Sequence, residues 1–185
     1  KLQNQVDYVK QVGVLPKQLE SETRARLFNG SSEQQLQAAD LIEKIAIDNP
    51  RSVLQFSDDE RVYAKNLSES LNAGVSGKRA VEFANKNVYE RNTEQYKIRQ
   101  LAFKDEGTEF SEGDFTEFFR DDPDNVPAGL IAEYNTLNRK YYLDGGADAA
   151  SSHKLAVEKI KANWSVTGAG GRNRWMKYAP EAVYD

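Results

Sequence analysis

Apolar residues recur along most of this chain at the three- and four-residue spacing of an α-helix, and no segment before Trp164 alternates convincingly like a strand. Leu36, Ala39, Ile42 and Ile45 share one face of a segment that Ser31 or Ser32 can cap and Asp48-Asn49-Pro50 stops. Ser57-Asp58-Asp59-Glu60 has the form of a capping box, in which the serine oxygen accepts from an early amide and the glutamate reaches back. It opens a helix with Tyr63, Leu67 and Leu71 at four-residue spacing, and Gly74 ends that helix. Ser76 starts another, with Val81, Ala84 and Val88 along one stripe, and Thr93 caps the next, which presents Ile98, Leu101 and Ala102. A short acidic helix is expected after Ser111, with Phe115, Phe118 and Phe119 as its apolar positions.

Asp122-Pro123-Asp124-Asn125-Val126-Pro127 is the best internal break, because each proline fixes φ and lacks an amide donor. Pro127 suits the first turn of a helix carrying Leu130, Tyr134, Leu137 and Tyr141, which Gly145-Gly146 end. One more helix is expected from about Asp148 to Trp164, with Ala156, Val157, Ile160 and Trp164 facing inward. Short connections favour antiparallel neighbours. The expected fold is therefore all-α, a bundle of short antiparallel helices. Residues 165–185 form an irregular, non-helical tail in which Gly168-Ala169-Gly170-Gly171 can turn a hairpin. One domain over 1–185 is the first expectation; two lobes, 1–122 and 127–185, joined at the proline break are the other.

Composition narrows the function classes. In 185 residues, 39% hydrophobic content is enough for one real core or two small ones. No apolar run approaches the roughly 20 residues needed to span a bilayer. The chain begins at Lys1 with no initiator methionine and no signal-like segment, which suggests a piece of a longer protein. There is no cysteine, so disulfides and thiolate metal sites are excluded. A net charge of −4 argues against nucleic-acid binding over the whole surface. Charge is uneven, with an acidic stretch from Asp105 to Asp124 and a basic part from Lys154 to Lys177. These are solvated faces, or segments that attract each other within one chain or between copies.

Candidate chemistry is sparse. His153 is the only histidine, in the first turn of the last long helix, where an ordinary surface role is expected. No metal site, cofactor site or catalytic set is expected. Glu133, beside Tyr134 and near Tyr141-Tyr142, is the carboxylate best placed to act as an acid in glycan cleavage, but the surrounding signature of lytic transglycosylases is missing. Gly168-Ala169-Gly170-Gly171 lacks a glycine at position 173 and a strand-turn-helix setting, so a nucleotide-binding turn is rejected. Asn29-Gly30-Ser31, Asn66-Leu67-Ser68 and Asn163-Trp164-Ser165 fit the glycosylation sequon, with no secretory signal to support them. The tail concentrates Trp164, Arg172, Arg174, Trp175, Lys177 and Tyr178. Such residues either cap the helices, with the cations in water, or form a surface for protein or DNA.

The tail Trp164-Ser165-Val166-Thr167, followed by Gly170-Gly171-Arg172 and Met176-Lys177-Tyr178-Ala179-Pro180-Glu181 with Tyr184, resembles a segment of large virion proteins of tailed bacteriophages. There, Trp-Gly-Val-Thr leads through glycines to a basic, Met-containing stretch like Tyr-Pro-Pro-Glu and ends in Tyr; Ser165 and Ala179 are departures from it. The run from Asn29-Gly30-Ser31-Ser32-Glu33 through Asn49-Pro50 and Phe56-Ser57 to Ala73-Gly74-Val75-Ser76 and Ala84 is similar to helical units of the same proteins. The family implied is the internal virion, or ejection, proteins of short-tailed phages, with related tape-measure-like proteins.

That resemblance implies storage in the virion, delivery into the host cell envelope, and assembly of a conduit with other virion proteins and copies of itself. It implies a non-enzymatic structural module with no small-molecule cofactor, any membrane contact falling to other parts of the parent chain. The alternatives are a peptidoglycan-cleaving module with Glu133 as acid, and a DNA-contacting helical module.

Overall fold

The computed structural model describes residues 2–107, 126–169 and 172–177. Among them are nine helices and one two-stranded hairpin, so the fold is all-α with a short β tail. The chain divides into two compact units. Among the described residues, one holds those up to Asn72 together with Ser76–Tyr89; the other holds Ala73–Val75 and those from Glu90 to Lys177. Apart from residues 73–75, the units part at Tyr89/Glu90. Pro123 and the acidic helix expected after Ser111, with Phe115, Phe118 and Phe119, lie outside the described residues.

The first unit contains α1 (Leu2–Val12), α2 (Lys17–Asn29), α3 (Ser32–Asp48), α4 (Pro50–Val53), α5 (Asp58–Asn72) and α6 (Gly77–Glu90). Helix α3 packs against α1, α2, α4 and α5. Its stripe of Ala38, Ala39, Leu41, Ile42 and Ile45 is buried with Leu27, Phe56, Ala64, Leu67 and Leu71. Both caps expected here form. The Ser31 hydroxyl accepts from the Gln34 amide at 3.4 Å while Gln34 Oε1 accepts from the Ser31 amide at 3.0 Å. Ser57 and Glu60 make the same reciprocal pair, at 3.2 and 2.7 Å. Asn49 ends α3 and caps α4, taking the Ser52 amide at 3.3 Å.

Two stripes are rotated from expectation. In α3 the first inward position is Gln35, whose amide caps the Leu27 carbonyl at 3.2 Å, and Leu36 is only half-buried. In α6 the buried residues are Ala80, Phe83 and Ala84, with Val81 and Val88 half-buried. The close approach of Gly77 to Ser32 fits that setting: a Cβ on Gly77 would lie 2.0 Å from the Ser32 hydroxyl.

The second unit contains α7 (Glu94–Glu106), α8 (Ala128–Leu143), α9 (Ala149–Asn163), β1 (Trp164–Ala169) and β2 (Arg172–Lys177). Helices α8 and α9 run antiparallel, so Glu133 near the start of α8 meets Asn163 at the end of α9. The expected inward residues of both helices, Leu130, Tyr134, Leu137 and Tyr141 with Ala156, Val157, Ile160 and Trp164, are all buried. Pro127 is the residue before α8 rather than within its first turn. Asp148 caps α9 by accepting from the Ser151 amide at 2.7 Å, and that bond holds its carboxyl below the ordinary range. Gly146, with φ +71°, turns the chain between the two helices.

Helix α7 overturns one expectation. Thr93 caps it, its hydroxyl accepting from the Tyr96 amide at 3.2 Å, but Ile98 and Leu101 are 57% and 61% exposed. The packed face is Tyr96, Arg99 and Phe103. Tyr96 donates its hydroxyl to buried Asp144 at 2.9 Å, and Arg99 lies 4.6 Å over the Tyr142 ring and donates to the Tyr142 carbonyl. These polar anchors set the rotation of the helix and turn its aliphatic residues outward.

Candidate functional site

The hairpin starts where α9 ends. β1 and β2 pair antiparallel from Trp164↔Lys177 to Ala169↔Arg172, so the expected hairpin forms and brings Trp164 and Lys177 side by side. Trp164 is 8% exposed and packs beside Gly129. Lys177 Nζ lies 6.0 Å from the Trp164 ring and 2.5 Å from Glu133 Oε2. Of the other tail candidates, Arg172, Arg174 and Trp175 have described backbone positions in β2, and their side chains lie outside the described residues. Tyr178 lies outside them altogether.

Glu133 is the centre of this cluster. Its side chain is 7% exposed, with Oε2 on the Lys177 ammonium and Oε1 accepting from Asn163 Nδ2 at 2.8 Å. The same Asn163 nitrogen donates to the Ala73 carbonyl at 2.9 Å. A carboxyl that acts as a glycosidic acid sits in an apolar pocket that favours its protonated form. Glu133 instead has both oxygens engaged, one by the Lys177 ammonium and one by the Asn163 amide. The arrangement ties α8, α9, the hairpin and residues 73–75 together.

A second polar set lies between α8 and α9. Tyr134 is fully buried, its hydroxyl 2.6 Å from His153 Nδ1 and 3.4 Å from Asn138 Nδ2. The His153 ring stands edge-on to it at 5.7 Å. His153 is therefore a half-buried packing partner rather than an ordinary surface residue. No group of three or more metal-binding side chains occurs among the described residues, and no described helix is long and apolar enough to cross a membrane.

Exposed Leu101 belongs to a groove of about 550 Å³ lined by Lys97, Leu101, Phe103, Lys104, Arg139 and Leu143. Among the described residues, apolar side chains, cations and Gln100 line it, and no carboxylate does. The helical period marks Leu101 only as one of the apolar positions that α7 presents, and nothing local signals this surface. Asn163 was visible only as part of a sequon, and nothing local marks it as the partner of a glutamate 30 residues earlier. No family model, curated protein or solved structure matches this chain.

Proposed function

We propose that this chain is a non-enzymatic structural and assembly module of a phage virion protein, ejected to help form the genome-delivery conduit across the host envelope. Its partners on this reading are other virion proteins and copies of itself, and its location is the virion until delivery. The observation that carries the non-enzymatic part is the engagement of Glu133 by Lys177 and Asn163, which leaves the best acid candidate serving as a tie. The exposed Ile98 and Leu101, beside an apolar groove rimmed by cations, support a role in contacts with other proteins. The phage assignment rests on the resemblance of the tail and of the 29–84 helical run.

The test is the content of particles. Intact particles of the phage that encodes the chain should contain it, and particles triggered to release their DNA should have lost it. Absence from intact particles overturns the reading. A DNA-contacting role would show instead as low-salt DNA binding that Arg172→Ala, Arg174→Ala and Lys177→Ala each weaken.

A further inference from the structure

Asn163 is held from three directions. Its amide nitrogen has two hydrogens, and both are used, one on the Ala73 carbonyl at 2.9 Å and one on Glu133 Oε1 at 2.8 Å. Its third neighbour is Gly74, whose φ of +81° brings the backbone so close that a Cβ would lie 2.7 Å from Asn163 Nδ2. Glu133 completes its own coordination with Lys177, the last residue of the hairpin and the register partner of Trp164. Trp164 in turn follows Asn163 directly in the chain.

We infer that the Glu133–Asn163 pair makes docking of the hairpin and seating of residues Ala73–Val75 a single cooperative event. Releasing Lys177 leaves a buried carboxylate with one donor, and a buried charge with too few partners draws in water or moves toward it. Movement of Glu133 takes the Asn163 amide with it, and the Ala73 carbonyl then loses its donor. The coupling runs both ways, as any linkage between two equilibria must. Displacing Asn163 from the Gly74 side removes a hydrogen bond from Glu133 and loosens the hold on Lys177. The device lets one exposed cation, with 37% of its side chain in solvent, govern the order of a stretch 102 positions earlier.

Amide exchange on the full chain, read by mass spectrometry, tests this in both directions. Lys177→Met should speed exchange about tenfold both in Trp164–Ala169 and in Ala73–Val75, while the middle of α8 keeps its protection. Lys177→Arg should restore both segments together. Gly74→Ala should speed exchange in Trp164–Ala169, and this arm remains readable if Lys177→Met does not fold. Faster exchange confined to the hairpin in Lys177→Met, with Ala73–Val75 at the wild-type rate, overturns the inference. So does a Gly74→Ala protein whose hairpin exchanges as in the wild type.

Discussion

The two units bury different kinds of polar residue. The buried polar side chains around α2–α5 are neutral: Thr23, Gln35, Ser52, Ser68 and Ser70. Around α8 and α9 they include Glu133, Lys140 and Asp144, with Asn138, Ser152 and Asn163. A buried hydroxyl can satisfy itself on its own helix, as Thr23 does on the Leu19 carbonyl at 2.7 Å and Ser70 on the Asn66 carbonyl at 2.8 Å. A buried charge needs a partner, and Glu133 and Asp144 find theirs 30 to 48 positions away. The first unit has long-range polar ties too, but from neutral buried side chains, as Ser52 donating to the Gly13 carbonyl at 2.7 Å. The second adds long-range ties to buried charges, whose loss leaves a charge stranded.

The first unit has its own charged cluster, but that one sits at the rim. Arg24 donates to Glu60 Oε1 and to the Gln55 carbonyl, each at 2.6 Å, pairs with Glu20, and lies 5.1 Å over the Phe56 ring. Its guanidinium is held charged by the hydrogen bonds to Glu60 and Glu20. Burial pushes the Glu60 carboxyl up, but the bonds from Arg24 and the Ser57 amide and the Arg24 charge outweigh it, leaving the group below its ordinary range. A carboxyl lowered on folding adds stability above its unfolded pKa of about 4.3 and loses it as pH falls through the lower folded value.

Four substitutions separate the units. The largest loss is expected from Leu67→Ala, which opens a cavity at a fully buried site; chemical denaturation should show about 2–5 kcal/mol. Lys177→Met should cost about 2 kcal/mol in the second unit, because it removes a charged donor from buried Glu133. A cost near zero would place that pair with ordinary surface bridges. Arg24→Met should cost about 1 kcal/mol at neutral pH, part of the pairing being screened by solvent. It should also flatten the decline of stability below about pH 4, and an unchanged acid limb would remove Glu60 from that account. Glu43→Gln should stabilise by a few tenths of a kcal/mol at neutral pH. Burial first, and then Glu69 and Asp40, raise the Glu43 carboxyl, so its ionised form opposes folding. The gain should fade as acid protonates the wild-type residue.

The same contrast explains what could be read from the chain. Helix periods and caps depend on residues three or four apart, so α3, α5, α8 and α9 were legible together with the Ser57 box, the Thr93 cap and the glycine-led hairpin. The orientation of α7 was not. Its rotation is set by Tyr96 and Arg99 reaching residues 48 and 43 positions later, and local pattern favours the aliphatic Ile98 and Leu101 instead. The tail candidates split for a similar reason. Trp164 and Lys177 meet because of strand register, which composition suggests but does not determine, and Glu133 joins them through the helix pair. The sequence neighbours of Glu133, Tyr134 above all, suit an acid, whereas the lysine that engages it lies 44 positions later.

Peptidoglycan turnover by the purified wild-type chain, measured beside Glu133→Gln, bears most directly on the role assigned to Glu133. A structural tie predicts no release of soluble glycan fragments by either protein, and lower thermal stability in the variant. Glycan release by the wild type that Glu133→Gln abolishes, with the fold intact, would contradict it.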